Sequence, residues 1–157
     1  MRRNDREVTD KNRIIEILEK SKVIHIGIHD GEFPYVLPLH YGFELSGEKI
    51  IFYMHGAKQG HKVDLINSNS KVGFVVECDV EPFSGGDVPC RYGSFYASIM
   101  GKGCISLVED DSEKIHGLEV LMKTQTNRSF HFDKEMADSV CVMKIECSSY
   151  TAKSIPK

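Results

Sequence analysis

The sequence has little that would cross a membrane, coat a nucleic acid or hold a structural metal. Its apolar runs are only a few residues long and its N-terminus is polar and charged, so it offers neither a membrane span nor a secretory leader. A cytoplasmic location is the expectation. No basic run exceeds Arg2-Arg3 and the formal net charge is -3, which argues against nucleic acid as a partner. No C-x-x-C occurs, and no Cys/His pair has zinc-ligand spacing. The five cysteines (Cys78, Cys90, Cys104, Cys141, Cys147) are odd in number and scattered, which fits free thiols in a reducing compartment. Cys104, Cys141 and Cys147 lie in strand-like runs and read as small buried hydrophobes, and Cys90 lies in a loop beside Arg91. A G-x-S-x-G elbow, a G-x-G-x-x-G turn and a Walker loop are all missing, so hydrolase chemistry has no support. No repeat or linker interrupts the 157 residues, which read as one domain over 1–157 that can hide roughly 70% of the extended chain's surface.

What is present alternates. Thr9 and Asp10 can cap a helix with Ile14, Ile15 and Leu18 on one face, ended by Ser21. From Val23 to Ile28, Ile24, Ile26 and Ile28 share one face of a strand, and Asp30-Gly31 turns the chain into a second strand through Pro34 to Tyr41. Pro38 has no N–H to give a sheet ladder, so it belongs at an edge, a bulge or a cavity wall. Ser46-Gly47 leads to a third strand, Lys49 to Met54, and Gly60 to Asn67 reads as a helix. Strands follow over Lys71 to Glu77 and Ser94 to Leu107, separated by a loop rich in Gly and Pro. Gly101 and Gly103 mark a bulge or a close approach of backbone to a ligand. A helix from Asp110 carries Ile115, Leu118, Leu121 and Met122 at core spacing and ends near Thr124, and Val140 to Ile145 is the last strand. Six strands with early hairpins predict an antiparallel barrel with short helices at its rim, not a βαβ fold.

The chemistry concentrates in His55-Gly56-Ala57-Lys58-Gln59-Gly60-His61-Lys62, a strand-to-helix junction with two Lys, two His and two Gly. Cations beside the open N–H groups of a helix start suit a phosphate; an ordinary solvated turn would have a similar composition. His25 and His29 share a strand face but have no third ligand at fixed spacing, so no metal site is expected. Without a side-chain nucleophile or acid/base pair, redox work by a bound cofactor is the economical reading. Tyr35, Tyr41, Phe52, Tyr53, Phe95 and Tyr96 read as core or subunit-interface aromatics, of which one or two could line a flat ligand.

These residues resemble the pyridoxamine 5'-phosphate oxidase-related, FMN-binding split-barrel family, and within it the nitroimidazole-resistance (Nim) type of flavin reductase. The resemblance is carried by Met1 to Glu7 with the helix behind it, Pro34 to His40, Phe52 to Leu65, Arg91-Tyr92, Phe95 to Gly103, Leu121-Met122 and Tyr150 to Lys153. It implies a mainly β (α+β), six-stranded antiparallel split β-barrel with short flanking helices, assembled as a homodimer with FMN sites at the interface. It further implies that Pro38, Leu39 and His40 border the isoalloxazine ring, and that Met54 and His55 lie near the phosphate-ribityl end. Ala57, Lys58, His61 and Lys62 would hold the phosphate. Ser98 and Met100 would make further cofactor or interface contacts, with Lys153 a further candidate from the tail. Relatives commonly carry Arg where this chain has His61, and a neutral imidazole offers one donor in place of a guanidinium fork.

The expected function is an FMN flavoprotein that passes electrons from NADH or NADPH to a small oxidised acceptor such as a nitroimidazole, with His40 and His55 as candidates for proton donation or substrate orientation. A non-catalytic flavin-binding or flavin-sensing module and a haem-binding split barrel are the alternatives.

Overall fold

In the computed structural model, residues 3–157 are described, so the Met1-Arg2 start of the resembling N-terminal segment lies outside the described residues. The strands are β1 (Glu7–Val8), β2 (Val23–Asp30), β3 (Phe33–His40), β4 (Gly42–Ser46), β5 (Lys49–Gly56), β6 (Lys71–Phe83), β7 (Gly93–Leu107) and β8 (Cys141–Ile155). The helices are α1 (Lys11–Lys20), α2 (His61–Ser68), α3 (Asp111–Thr126) and α4 (Lys134–Asp138). All strands join one eight-stranded antiparallel sheet in the order β3-β2-β6-β7-β8-β5-β4, with β1 added along β8. The sheet curls into a split barrel.

The expected six strands are therefore eight. Gly42–Ser46 follows the second strand with no turn residues between them, so the two read as one, and Glu7–Val8 is too short to show a period. β8 also runs ten residues past the predicted end at Ile145, to Ile155. Its later half is polar because only Cys147 and Ala152 are fully buried there, with Tyr150 packed partly against the core.

The isoleucine alternation of β2 sets the interior. Ile24, Ile26 and Ile28 are buried against Val72, Phe74 and Val76 of β6, each such side chain contributing about 1.5–3 kcal/mol on burial. Phe52 of β5 lies at the centre, edge-on to Tyr41 at 5.4 Å and to Phe74 at 4.9 Å between ring centroids. Tyr41 donates its hydroxyl proton to the Leu18 carbonyl at 2.7 Å, tying the core to α1. That helix is capped by Asp10, which accepts from the Arg13 N–H at 2.8 Å, and it buries Ile14, Ile17 and Leu18. Ile15, expected on the buried face, is only half-buried: the i, i+3, i+4 stripe runs through Ile17 instead.

α3 starts at the Asp110 cap and runs to Thr126, two residues beyond the expected end, where Asn127 adopts a left-handed conformation. Two glycines let it lie directly on the sheet. A Cβ at Gly42 would fall 2.4 Å from the Leu121 backbone, and one at Gly117 would fall 2.7 Å from the Tyr53 ring. Leu118 and Leu121 are buried beneath it, whereas Ile115 and Met122 are half-buried. The bulge anticipated near Gly101 and Gly103 occurs between Lys102 and Gly103. The close approaches there are to the Phe74 ring and the Glu146 carbonyl, so these glycines serve packing within the chain.

Candidate functional site

β3 and β4 are one run of extended chain with two partners. Gly42 to Ser46 pairs with β5, Gly42 opposite Tyr53, whereas Phe33 to His40 turns away to pair with β2, His40 opposite Val23. The strands diverge at Tyr41. Continuing the β4–β5 register past Gly42 puts Tyr41 against Met54 and His40 against His55, where pairing has stopped. The two candidate histidines therefore stand at the base of a fork between β3 and β5, the split of the barrel. Pro38, the residue without an N–H, lies on the sheet's edge strand as its chemistry requires.

Lys62 reaches into this fork from the first turn of α2. Its Nζ lies 2.8 Å from where a Cβ of Gly56 would be, so the ammonium rests in the space that glycine at 56 leaves open. Burial, then the nearby His40, then Lys62 push the His55 pKa below the ordinary histidine value, which keeps the imidazole neutral at neutral pH. Across the ladder from Gly56 stands Cys141, whose thiol pKa is raised by burial and partly offset by Lys62, Lys114 and Lys58. Ala57, Lys58, Gln59 and Gly60 form the exposed loop between β5 and α2. Among the described residues neither Lys58 nor Lys62 is ion-paired, and no side chain caps α2 at Gly60. An open helix N-terminus with two unpaired ammonium groups is a donor set for a phosphate.

His61 is differently placed. Its Nε2–H donates to the Asp30 carboxylate at 2.6 Å, and its ring stands edge-on to Tyr35 at 5.2 Å. The β2–β3 hairpin thus grips the start of α2 through this imidazole, so an anion would have to meet Nδ1 or displace Asp30. The structure separates other expected contacts as well. Leu39 faces the barrel interior while Pro38 and His40 face outward, and the Met54 side chain is wholly buried in the core, leaving only its backbone near the fork. The ladder Pro38, His25, Val75, Met100, Thr151 puts Met100 three strands from Pro38, about 14 Å away at ordinary strand spacing. Ser98 and Lys153 lie opposite one another on the same outer face. Within one chain these three do not reach the fork.

Three residues near the fork carried no sequence signal of a role there. Asp30 reads as a turn residue, Cys141 as a core thiol, and Gln125 lies 84 positions from the Tyr41 carbonyl to which it donates at 2.8 Å. A cavity of about 720 Å³ elsewhere, between α1 and the ends of β6, β7 and β8, is less suited to an anion. Its Arg13 and Lys20 are both held by Glu16 and Asp79, and its Lys157 is paired with Glu81.

None of the curated proteins matches the chain. Among solved structures, it is similar to a candidate 5-nitroimidazole antibiotic resistance protein from Bacteroides thetaiotaomicron, at 27% identity and TM-score 0.78, over 94% of this chain and 85% of that one. It is also similar to a candidate pyridoxamine 5'-phosphate oxidase from Listeria innocua, at 25% identity and TM-score 0.57, over 88% of this chain and 94% of that one. A flavocytochrome from Azotobacter vinelandii shares the fold at 16% identity and TM-score 0.77, over 100% of this chain and 72% of that one. The sequence profile of the pyridoxamine 5'-phosphate oxidase family matches residues 10–154, nearly the whole chain, and this chain belongs to that family.

Proposed function

We propose that this chain is an FMN-binding flavoprotein, active as a cytoplasmic homodimer, that uses NADH or NADPH to reduce small oxidised acceptors such as nitroimidazoles. The observation that carries the reading is the fork itself: an uncapped helix start and two unpaired lysines beside a pair of histidines at the split of the barrel. The residues fit the group. Lys58, Lys62 and the first N–H groups of α2 would hold the phosphate, while Pro38 and His40 would border the ring. When bound, the flavin supplies the electron transfer that no side chain of this chain offers.

The chain's own residues then bind, orient and manage protons. The neutral His55 imidazole can accept a hydrogen bond or take up a proton at the base of the fork. Lys62, whose ammonium rests against Gly56, would add positive charge beside a bound phosphate. The outer face of the sheet supports a dimer. Val36 and Met100 are 61% and 51% exposed, and on the two strands between theirs Gly27 pairs with Gly73, leaving no side chain to keep a second surface away until Lys102 at the end of that row. A second copy on this face would give Ser98, Met100 and Lys153 a route to a neighbour's fork.

The test is the absorption spectrum of the purified protein, followed by FMN titration of the wild type and Lys62→Ala. Flavin bands, affinity lowered roughly 10-fold to 100-fold by the substitution, and nicotinamide-driven nitroimidazole turnover are expected. A haem spectrum, or FMN affinity indifferent to Lys62, overturns the assignment. Full loading without turnover leaves a flavin-binding module.

A further inference from the structure

The last turn of α3 reaches the same fork. The side-chain NH2 of Gln125 donates to the Lys22 carbonyl at 3.0 Å and to the Tyr41 carbonyl at 2.8 Å. Both partners can only accept, so the orientation of the amide is settled by chemistry, and both of its N–H groups are used. The Lys22 carbonyl has a second lone pair, and His40 Nδ1 lies on it at 3.1 Å. A carbonyl cannot donate, so Nδ1 carries the proton. When the ring is neutral, Nε2 is then bare, and among the described residues it has no hydrogen-bond partner.

We propose that Gln125 is a positioning residue for His40: by fixing the Lys22 and Tyr41 carbonyls at the base of the fork it holds the imidazole as the Nδ1–H tautomer, with Nε2 as a hydrogen-bond acceptor. The inference rests on the reading of the fork as the cofactor site. It adds a specificity: the ligand group that meets His40 presents an N–H or O–H donor. The arrangement is built from three separate stretches. Lys22 immediately precedes β2, Tyr41 is the point of divergence between β3 and β4, and Gln125 sits four residues past Leu121, whose backbone rests against Gly42. Lys22 also donates its ammonium to the Thr124 carbonyl at 2.7 Å, closing the same junction from the other side. The fork and the end of α3 are therefore tied together, and the imidazole hangs from the tie.

The tautomer can be read without any turnover. In the full-length chain labelled with 15N, two-bond correlations from the ring protons distinguish a protonated from a bare nitrogen, and His40→Gln assigns the signals. The wild type is expected to show His40 with Nδ1 protonated and Nε2 bare. Gln125→Leu should leave the ring averaging between tautomers and weaken FMN binding about 10-fold, the size of loss seen when the orienting partner of a functional histidine is removed. Gln125→Lys, whose ammonium can still donate to both carbonyls, should keep the wild-type pattern. A wild-type His40 protonated at Nε2 overturns the proposal even if no variant folds, and so does Gln125→Leu with tautomer or FMN affinity unchanged. A chain with the expected tautomer that takes up no FMN sinks the cofactor reading alone; an FMN-loaded chain with the opposite tautomer sinks only this one.

Discussion

The two strands that wall the fork are opposites. β5 is buried along most of its length: Ile50, Phe52, Tyr53 and Met54 are all at most 3% exposed, covered by the barrel interior on one face and by α3 on the other. β3 is just as apolar in sequence, yet Phe33 and Val36 are 72% and 61% exposed and its outer face has no cover within the chain. Equal hydrophobicity at unequal depth means that the two strands are stabilised differently. β5 is covered by its own chain, and β3 is an edge strand whose outer residues the chain leaves uncovered.

The strongest way to break that contrast is Val36→Lys. In the proposed two-fold dimer the substitution would occur on both copies, and burying two unpaired ammonium groups should cost that dimer several kcal/mol, about 3–5 for each broken or unpaired charge. Folding of the separate chain should change by less than about 0.5 kcal/mol, as for an ordinary surface substitution. Sedimentation and a urea melt read the two quantities separately. A dimer untouched by Val36→Lys would place the interface elsewhere.

Phe52→Ala tests the other strand. Removing the ring that bridges Tyr41 and Phe74 should lower folding stability by about 3–5 kcal/mol, measured by denaturant unfolding of the purified chain. A loss below about 1 kcal/mol would mean that the core closes over the gap, and the division between a β5 stabilised within the chain and a β3 with an uncovered outer face would be lost.

How far the sequence anticipates this division depends on the range of the forces involved. The inward face of β2 is legible because a period of two over Ile24, Ile26 and Ile28 is a local signal. The lysines and glycines after His55 are legible for the same reason. The fork is not, because nothing in Tyr41-Gly42 announces that the chain leaves one partner strand for another; Gly42 is small because Leu121 of α3 lies against it, a contact made 79 residues later. Met54 shows the limit from the other direction. Its place between Phe52 and Gly56 on an alternating strand already points its side chain inward, whereas the family resemblance implies a contact with the cofactor. Asp30 and Gln125 act only through residues brought to them by the sheet and by α3, so no spacing could reveal them.

A smaller effect sharpens the role of the β2–β3 hairpin. His61→Arg puts a permanent cation where relatives commonly have one, and FMN affinity at neutral pH should tighten, by at most about tenfold or 1.4 kcal/mol. The ceiling is set by Asp30, which already accepts from the imidazole at 2.6 Å and would pair with the guanidinium as well. His61→Arg combined with Asp30→Asn should therefore bind more tightly than His61→Arg alone. Titration of the three proteins decides the matter: unchanged or weaker binding by both variants would remove residue 61 from the phosphate clamp.

The smallest expected effect belongs to His55, whose side chain is exposed at the end of β5. Its folded pKa lies below the ordinary value of 6.5 because burial, His40 and Lys62 all oppose a second proton on the ring. The unfolded chain accepts that proton as the pH falls through about 6.5, and the folded chain does so only at lower pH. The unfolded state therefore binds more protons in that window, and stability falls with acidification until the folded ring also titrates. His55→Gln has no such proton to gain, so its urea midpoint should drop less than that of the wild type between roughly pH 7.5 and pH 5. Equal drops in the two proteins would show that protonating the imidazole on β5 costs the folded chain nothing, and the contrast between the two walls would end at the base of the fork.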